Sequence, residues 1–340
     1  MFQATPKTYG GKSMLQLSSN QQYLGEKELF TRINFDRSVQ IAEETGLLAN
    51  PGEKLAWKHK LTQQIQEPIV QLALNSLASQ LSPNCCYHDY EHTAHQVLPI
   101  SVLLAHKLGL SERDTHLVAV AAAWHDLGFI QRPDGAGHEV IGAQMMFSEM
   151  QLGRGVDGTL GKVRYSVDEV FKCLQAVLDT KLVENHEGAY NQNPVSDLGR
   201  IICTADLISF ARPFGEFFSG SLAVFMERTG KALFSVEQLA ADPDGKAFLL
   251  NSMKLFNYHR WLLSVDNTSN PSGAQLSQEI RSVLEQKMSQ NMTTLTGQIL
   301  QQPLFNAAEL EATRPAVQRL NILMQQGSVS SASQPEAAAA

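Results

Sequence analysis

A histidine and an aspartate stand side by side at the end of an apolar segment of this sequence. The chain reads AAAWHDLG at 121–128, so His125 and Asp126 interrupt a helix that is too hydrophobic to be a solvated face. An aspartate inside an apolar core is usually paired, hydrogen-bonded or bound to a metal, because burying an unpaired carboxylate is costly. Alternatively, the two residues end the helix, with His125 near the last carbonyls and Asp126 in water. The octapeptide alone fits both interpretations.

A second segment carries three histidines. It reads YHDYEHTAH at 87–95, which places His88, His92 and His95 at positions i, i+4 and i+7. Residues at these spacings share one stripe of an α-helix. Such a set can supply one neutral imidazole to a metal and another that donates a proton. Any single histidine of the three could equally be a partly exposed residue with no ligand role.

A third segment predicts a buried carboxylate. It reads RIICTADLISF at 200–210, and after the first residue Asp206 is its only side chain that carries a charge at neutral pH. A carboxylate in such apolar surroundings needs a partner, so Asp206 joins the candidates for metal binding. In the alternative interpretation, Asp206 caps a neighbouring helix or pairs with Arg212.

Helices must position these residues, because apolar residues recur at helical spacing through most of the chain. No alternation of apolar and polar residues is long enough to predict a sheet. Ser111 and Ser166, each followed by acidic residues, predict two helix starts. A turn rich in glycine at 132–137 leads into a helix that begins near His138. The predicted fold class is therefore all-α, a helical bundle with additional C-terminal helices.

Taken in order, these segments resemble the HD superfamily of metal-dependent phosphohydrolases. They are similar to a group in which a YHN-x-x-H segment, an HD pair at a helix end, an N-E or H-E pair, a threonine turn and a T-A-D-L helix follow one another. The corresponding residues here are Tyr87-His88-Asp89 with His92, His125-Asp126, His138-Glu139, Thr180 and Thr204-Ala205-Asp206-Leu207. The resemblance covers about residues 81–228. Asp89 stands where asparagine is usual, and Leu-Gly-Phe follows the HD pair, differences that bear on the substrate subgroup.

The resemblance implies a set of primary metal ligands made of two imidazoles and two carboxylates. They are His92, His125, Asp126 and Asp206. Such a mixed nitrogen and oxygen set suits Mn, Fe, Co, Ni or Mg better than a thiolate-rich zinc site does. One or two divalent ions are expected, and Asp126 could bridge two of them. His138 is the first candidate for a further ligand and His186 the second, although His138 could also face solvent at a helix start.

The resemblance also implies catalytic roles. His88 is the candidate general acid that protonates the leaving oxygen, and His95 is its rival. Asp126 is expected to be catalytic through the metal, which lowers the pKa of water and screens phosphoryl charge. Lys181 and Arg212 could bind a phosphate. For these two, the alternatives are a surface lysine and an arginine paired with a core carboxylate.

The predicted function is metal-dependent hydrolysis of a phosphate ester in a small molecule, with a nucleotide as the expected substrate. One alternative keeps the metal site but changes the reaction, since HD folds also host di-iron oxygenases and hydratases. Another alternative is a non-catalytic regulatory or scaffold protein. The sequence leaves homo-oligomer formation open.

The amino-acid composition restricts the remaining classes of function. The chain has 340 residues, 43% hydrophobic and 18% charged, which is enough to bury a core. Its net charge of -7 gives no general attraction to nucleic acid or to an anionic membrane. Neither a membrane span nor a secretory signal is predicted. The four cysteines, two of them adjacent, are expected to be reduced in a cytoplasmic protein.

Four parts of the chain are predicted from these patterns. Residues 1–53 form an N-terminal region of uncertain structure, and residues 54–266 form the HD phosphohydrolase-like domain. Residues 267–326 contain a linker and C-terminal helices. Residues 327–340, rich in serine and alanine, form a disordered tail.

Overall fold

A computed structural model describes residues 34–82, 84–132, 135–152, 165–184, 190–259, 271–306 and 308. Within these residues the chain forms twelve α-helices and one two-stranded antiparallel sheet. The predicted all-α class is therefore confirmed. His186, residues 309–326 of the predicted C-terminal helices and the predicted tail at 327–340 lie outside the described residues.

The helices differ widely in length. They are, in chain order, α1 Phe35–Glu44, α2 Pro51–Ile65, α3 Pro68–Gln80, α4 Leu98–Lys107, α5 Glu112–Trp124, α6 His138–Leu152, α7 Val167–Leu178, α8 Asp197–Asp206, α9 Phe214–Thr229, α10 Val236–Ala241, α11 Pro243–His259 and α12 Pro271–Leu300. Shorter elements complete the fold. They are a π-helical segment His92–Val97 that runs into α4, 3-10 turns Leu127–Ile130 and Leu207–Ala211, and strands β1 Leu182–Glu184 and β2 Tyr190–Gln192.

Side-chain caps set the helix starts that the sequence predicted. The Ser111 hydroxyl accepts a hydrogen bond from the backbone N–H of Asp114 at the start of α5. Ser166 and Glu169 form a reciprocal capping box at the start of α7. Each cap satisfies backbone donors that the first helical turn leaves without a partner. Both predicted starts are therefore confirmed.

The main core lies among helices α1 to α8 and receives one face of α12. Two tryptophans are almost fully buried in it, and each indole N–H finds a backbone acceptor. Trp57 donates to the carbonyl of Pro99 at 3.1 Å, and Trp124 donates to the carbonyl of Ile69 at 3.1 Å. Burial of these rings fixes α2 against α4 and α5 against α3.

A second apolar cluster forms among helices α9 to α12. Phe217, Phe225 and Leu239 are buried in it together with the C-terminal half of α12. The two cores are tied by Asn291 of α12, whose amide donates to the carbonyls of Phe210 at 2.8 Å and Arg212 at 2.6 Å. Helices α1 and α12 also contribute buried residues to the main core.

The small sheet was not predicted from the sequence. Strands β1 and β2 pair antiparallel, with Leu182 opposite Gln192. Each strand has only three residues, which is too short for an alternating pattern to stand out. Among the described helices, none is both long enough and apolar enough to cross a bilayer.

Candidate metal centre

The predicted ligands come from four different elements that converge at one point. His92 begins the π-helical segment, His125 directly follows α5, and Asp126 follows His125. Asp206 is the last residue of α8 and His138 the first residue of α6. Ligands at helix ends can approach a common point closely, because the helices need not cross there.

The π-helical segment changes the predicted arrangement of the three histidines. Residues 86–89 precede the helix, so His88 is not on a regular helical stripe with His92 and His95. His95 turns to α1, where its Nε2 accepts a hydrogen bond from the backbone N–H of Asn34 at 3.0 Å. The structure therefore brings His88 and His92 to the candidate centre but not His95. A π-helical turn widens the helix by one residue and is often found at functional sites.

Three of the predicted ligands form a compact buried group. The ligand atoms of His92, His125 and Asp126 all lie within 4.8 Å of one another. Asp126 Oδ2 is 3.0 Å from His125 Nε2 and 3.5 Å from His92 Nε2. The three residues are 6%, 1% and 3% exposed, so the group is shielded from water. These residues could hold a metal ion.

Asp206, the fourth predicted ligand, faces the same group. Its Oδ1 lies 3.0 Å from His92 Nε2 and 4.0 Å from His125 Nε2. Its other oxygen, Oδ2, accepts a hydrogen bond from the side-chain amide of Gln192 at 2.6 Å. Asp206 therefore has one oxygen directed to the two imidazoles and the other held by β2.

The hydrogen bonds around the group fit a metal. His125 Nδ1 donates to the carbonyl of Ala122 at 2.8 Å, which leaves Nε2 facing Asp126. Metal-binding histidines commonly use their second nitrogen in this way, because the bond fixes the tautomer and the ring orientation. His125 Nε2 and Asp126 Oδ2 are buried and have no hydrogen-bond partner among the described residues. A cation could bind both of these buried ligand atoms and so replace the hydrogen bonds that they lack.

His138 is the further ligand candidate, and the structure places it beside Asp126. Its Nε2 is 3.4 Å from Asp126 Oδ1, and its Nδ1 donates to the carbonyl of Gly135 at 2.8 Å. The approach depends on Gly128, because a Cβ there would lie 1.9 Å from the carbonyl oxygen of His138. Asp126 Oδ2 faces His92 and His125, and its Oδ1 faces His138. Asp126 therefore lies between His138 and the other two imidazoles.

The electrostatics of the group favour a cation. Burial opposes the charge of Asp126, but the positive charges of His125 and His88 outweigh burial and hold the pKa of this carboxyl well below its usual range. Burial also lowers the pKa of His125, whereas the adjacent carboxylate of Asp126 and the charge of Asp206 raise it to about 9. The carboxylates thus create a negative potential at the imidazole nitrogens. A divalent ion is stabilised by a potential of this sign.

His88 lies beside the centre and is held by a glutamate that the sequence did not point to. Glu227 accepts from His88 Nδ1 at 2.5 Å, while its second oxygen accepts from the backbone N–H groups of Tyr87 and His88. The His88 ring also stacks on Phe129, with centroids 4.4 Å apart. The bond to Glu227 and the stack on Phe129 therefore fix the ring and leave Nε2 as the nitrogen free of Glu227.

An open cavity of about 700 Å³ connects these residues. His88, Asp126, His138 and Asp206 all line it. A volume of this size lies within the range of about 300–1,000 Å³ found for small-molecule sites. The opposite wall comes from α9 and α11 and includes Phe248. The candidate metal centre is therefore accessible to a small ligand through one cavity.

The two predicted phosphate-binding residues lie in different places. Lys181 lines the cavity. Arg212 does not, because its buried guanidinium pairs with Glu44 at 2.9 Å and with Glu216 at 2.8 Å. The position of Arg212 agrees with the alternative of a structural arginine and does not support a role in phosphate binding.

Among the cavity residues that sequence reasoning missed are Gln192, Glu227 and Arg228. The sequence does contain a signal for Glu227 and Arg228. Between Glu216 and Glu227 the sequence of α9 has no ionisable residue, so Glu227 and Arg228 interrupt an apolar run much as Asp206 does. Gln192 has no such signal, because its neighbours are polar.

Comparisons with protein-family profiles, with curated proteins and with solved structures find no match for this chain. Membership of the HD superfamily therefore stays a prediction from the motifs.

Proposed function

We propose that this protein is a metal-dependent hydrolase of phosphate esters, of the HD type, acting on a small phosphorylated molecule such as a nucleotide. One observation carries the proposal: His92, His125 and Asp126 form a buried group with orphaned ligand atoms, and Asp126 opens on a cavity that His88 also lines. A site that only stabilised the fold would have no need of a cavity at this point.

His92, His125, Asp126 and Asp206 would hold the ion. This nitrogen and oxygen set suits Mn, Fe, Co, Ni or Mg. A divalent ion in such a site lowers the pKa of water and neutralises charge on phosphoryl oxygens. The chain itself supplies the remaining functions, which are the binding of the phosphate and the transfer of a proton.

His88 is the residue proposed to protonate the leaving oxygen. Glu227 binds its Nδ1, so Nε2 is the nitrogen from which a proton would be transferred. The stack on Phe129 keeps the ring from rotating about its side-chain bonds. Lys181 and Arg228 line the same cavity and provide positive charge for a phosphate.

The position of His138 beside Asp126 supports a second candidate function. Its 3.4 Å approach to Asp126 would allow Asp126 to bridge two ions, as a di-iron oxygenase requires. Metal analysis of the purified protein, combined with turnover measured with and without oxygen, separates this reaction from hydrolysis. Two bound irons and oxygen-dependent turnover would replace the hydrolase proposal.

The test is a screen of phosphate monoesters, cyclic nucleotides and nucleoside phosphates with several divalent metals. Asp126→Ala should lose both metal binding and hydrolysis, because it removes the oxygens that face all three imidazoles. His88→Ala should keep the metal and lose turnover. The exposed His59 of α2 provides a control, and His59→Ala should change neither property. Full activity in Asp126→Ala would refute the proposal.

A further inference from the structure

Gln192 joins the candidate metal centre to the substrate cavity. It is the last residue of β2, is 3% exposed, and lines the cavity. Its Nε2 donates to Asp206 Oδ2 at 2.6 Å. A carboxylate oxygen accepts this bond, so the amide nitrogen faces Asp206 and the amide oxygen is directed elsewhere.

The amide oxygen of Gln192 is an acceptor without a donor. Oε1 is buried and has no hydrogen-bond partner among the described residues. Rotating the amide would not help, because Oε1 would then face the carboxylate of Asp206. A buried polar atom left in this state is destabilising, and such atoms in native proteins commonly meet a ligand. Since Gln192 lines the cavity, a ligand there can supply the donor.

We propose that Gln192 is a specificity-determining residue whose Oε1 accepts a hydrogen bond from a hydroxyl or amino group on the organic part of the substrate. This inference rests on the proposed function for the placement of the phosphate near the metal ligands. A phosphate dianion has only acceptor oxygens, so it cannot satisfy Oε1. The donor must therefore come from the alcohol or nucleoside part of the ester.

Matched pairs of ligands that differ only in hydroxyl groups test the inference. Glycerol 1-phosphate is compared with propyl phosphate, and adenosine 5′-monophosphate with its 2′,3′-dideoxy analogue. Binding to the full chain loaded with Mn²⁺ is measured by calorimetry, so that the readout does not depend on turnover. We expect the hydroxyl-bearing member of at least one pair to bind ~10-fold or more tightly, because its absence leaves Oε1 buried and unpaired.

Gln192→Met should abolish this preference, because methionine has a similar size but no amide oxygen. Gln71→Met is the matched control. Gln71 is also a buried glutamine with an unpartnered side-chain atom, but it lies in α3 and does not line the cavity. The control should keep the preference of the unchanged protein.

Two results would overturn the inference. The first is equal binding within both pairs by the unchanged protein, a measurement that needs no variant to fold. The second is a preference that survives in Gln192→Met, whether or not Mn²⁺ affinity changes in that variant. If the unchanged protein prefers the hydroxyl-bearing ligands but hydrolyses no ester in the screen, the proposed function is rejected and the role of Gln192 is supported.

Discussion

The backbone of His138 closely approaches Gly128, in the turn that follows His125 and Asp126. Replacing Gly128 by alanine tests whether the candidate metal centre depends on this close contact. An alanine Cβ would lie 1.9 Å from the His138 carbonyl oxygen, whereas ordinary contact begins at 3.4 Å, so the start of α6 would have to move by about 1.5 Å. The distance of 3.4 Å between His138 Nε2 and Asp126 Oδ1 would grow with this movement.

The expected loss of stability in Gly128→Ala is about 1–3 kcal/mol, the usual cost of forcing an extra methyl group into a packed site. Mn²⁺ affinity should fall by ~10-fold or more, as it does when groups that orient metal ligands are displaced. Urea denaturation followed by circular dichroism measures the free energy of unfolding, and calorimetric titration with Mn²⁺ measures the affinity.

Gly297 offers a matched control. It lies inside α12, and an alanine Cβ there would meet no atom within 4 Å. Alanine should therefore stabilise the helix by about 0.5–1 kcal/mol, because glycine loses more backbone freedom on folding. If Gly128→Ala were as stable as the unchanged protein and bound Mn²⁺ equally well, the close packing of His138 on this turn would not be a requirement of the centre.

Three further predictions follow from single contacts. Glu227→Gln should lower kcat by ~10-fold or more with little change in KM or Mn²⁺ affinity, because one amide cannot accept from both His88 Nδ1 and two backbone N–H groups; an equal fall in Mn²⁺ affinity would contradict a role through His88. Arg228→Gln should raise KM for a dianionic ester more than for a monoanionic one, and an equal effect on both would remove Arg228 from phosphate binding. Burial and the charge of Arg113 lower the pKa of His116 to about 4, so the folded state binds its proton less readily than the unfolded state, whose pKa is near 6.5. Stability from this group is complete above pH 6.5 and is lost as pH falls towards 4, by about 3 kcal/mol; a urea-denaturation series should show this loss in the unchanged protein but not in His116→Gln.

The helical class was predicted correctly from the sequence, and two distant carboxylates were singled out in it for a physical reason. A charged residue that interrupts an apolar helix must have a partner, and Asp126 and Asp206 both carry that signal. The structure places both carboxylates on the same two imidazoles. The residues alone predicted that each carboxylate has a partner, whereas the grouping of both carboxylates with His92 and His125 was implied by the resemblance to the HD superfamily.

Other parts of the site depend on backbone geometry that periodicity does not encode. The sequence predicted His88, His92 and His95 on one helical stripe, but His88 lies before the helix begins, and the helix is π-helical at His92–Val97. An α-helical and a π-helical turn differ by one residue, and no residue type in this segment distinguishes the two. Arg212 was equally ambiguous, because its partners Glu44 and Glu216 are distant in sequence or belong to another helix.

Two different apolar cores position the residues of the candidate site. The ligands His92, His125 and Asp126 belong to elements packed in the main core, so their geometry is set by α4, α5 and the turns beside them. Glu227 ends a helix whose Phe217 and Phe225 are buried in the second cluster. The candidate ligands are thus positioned by the main core, whereas the orientation of His88 depends on the second cluster. Helix α9, which packs in that cluster, is required for the proposed proton transfer because it carries Glu227, which accepts from His88 Nδ1.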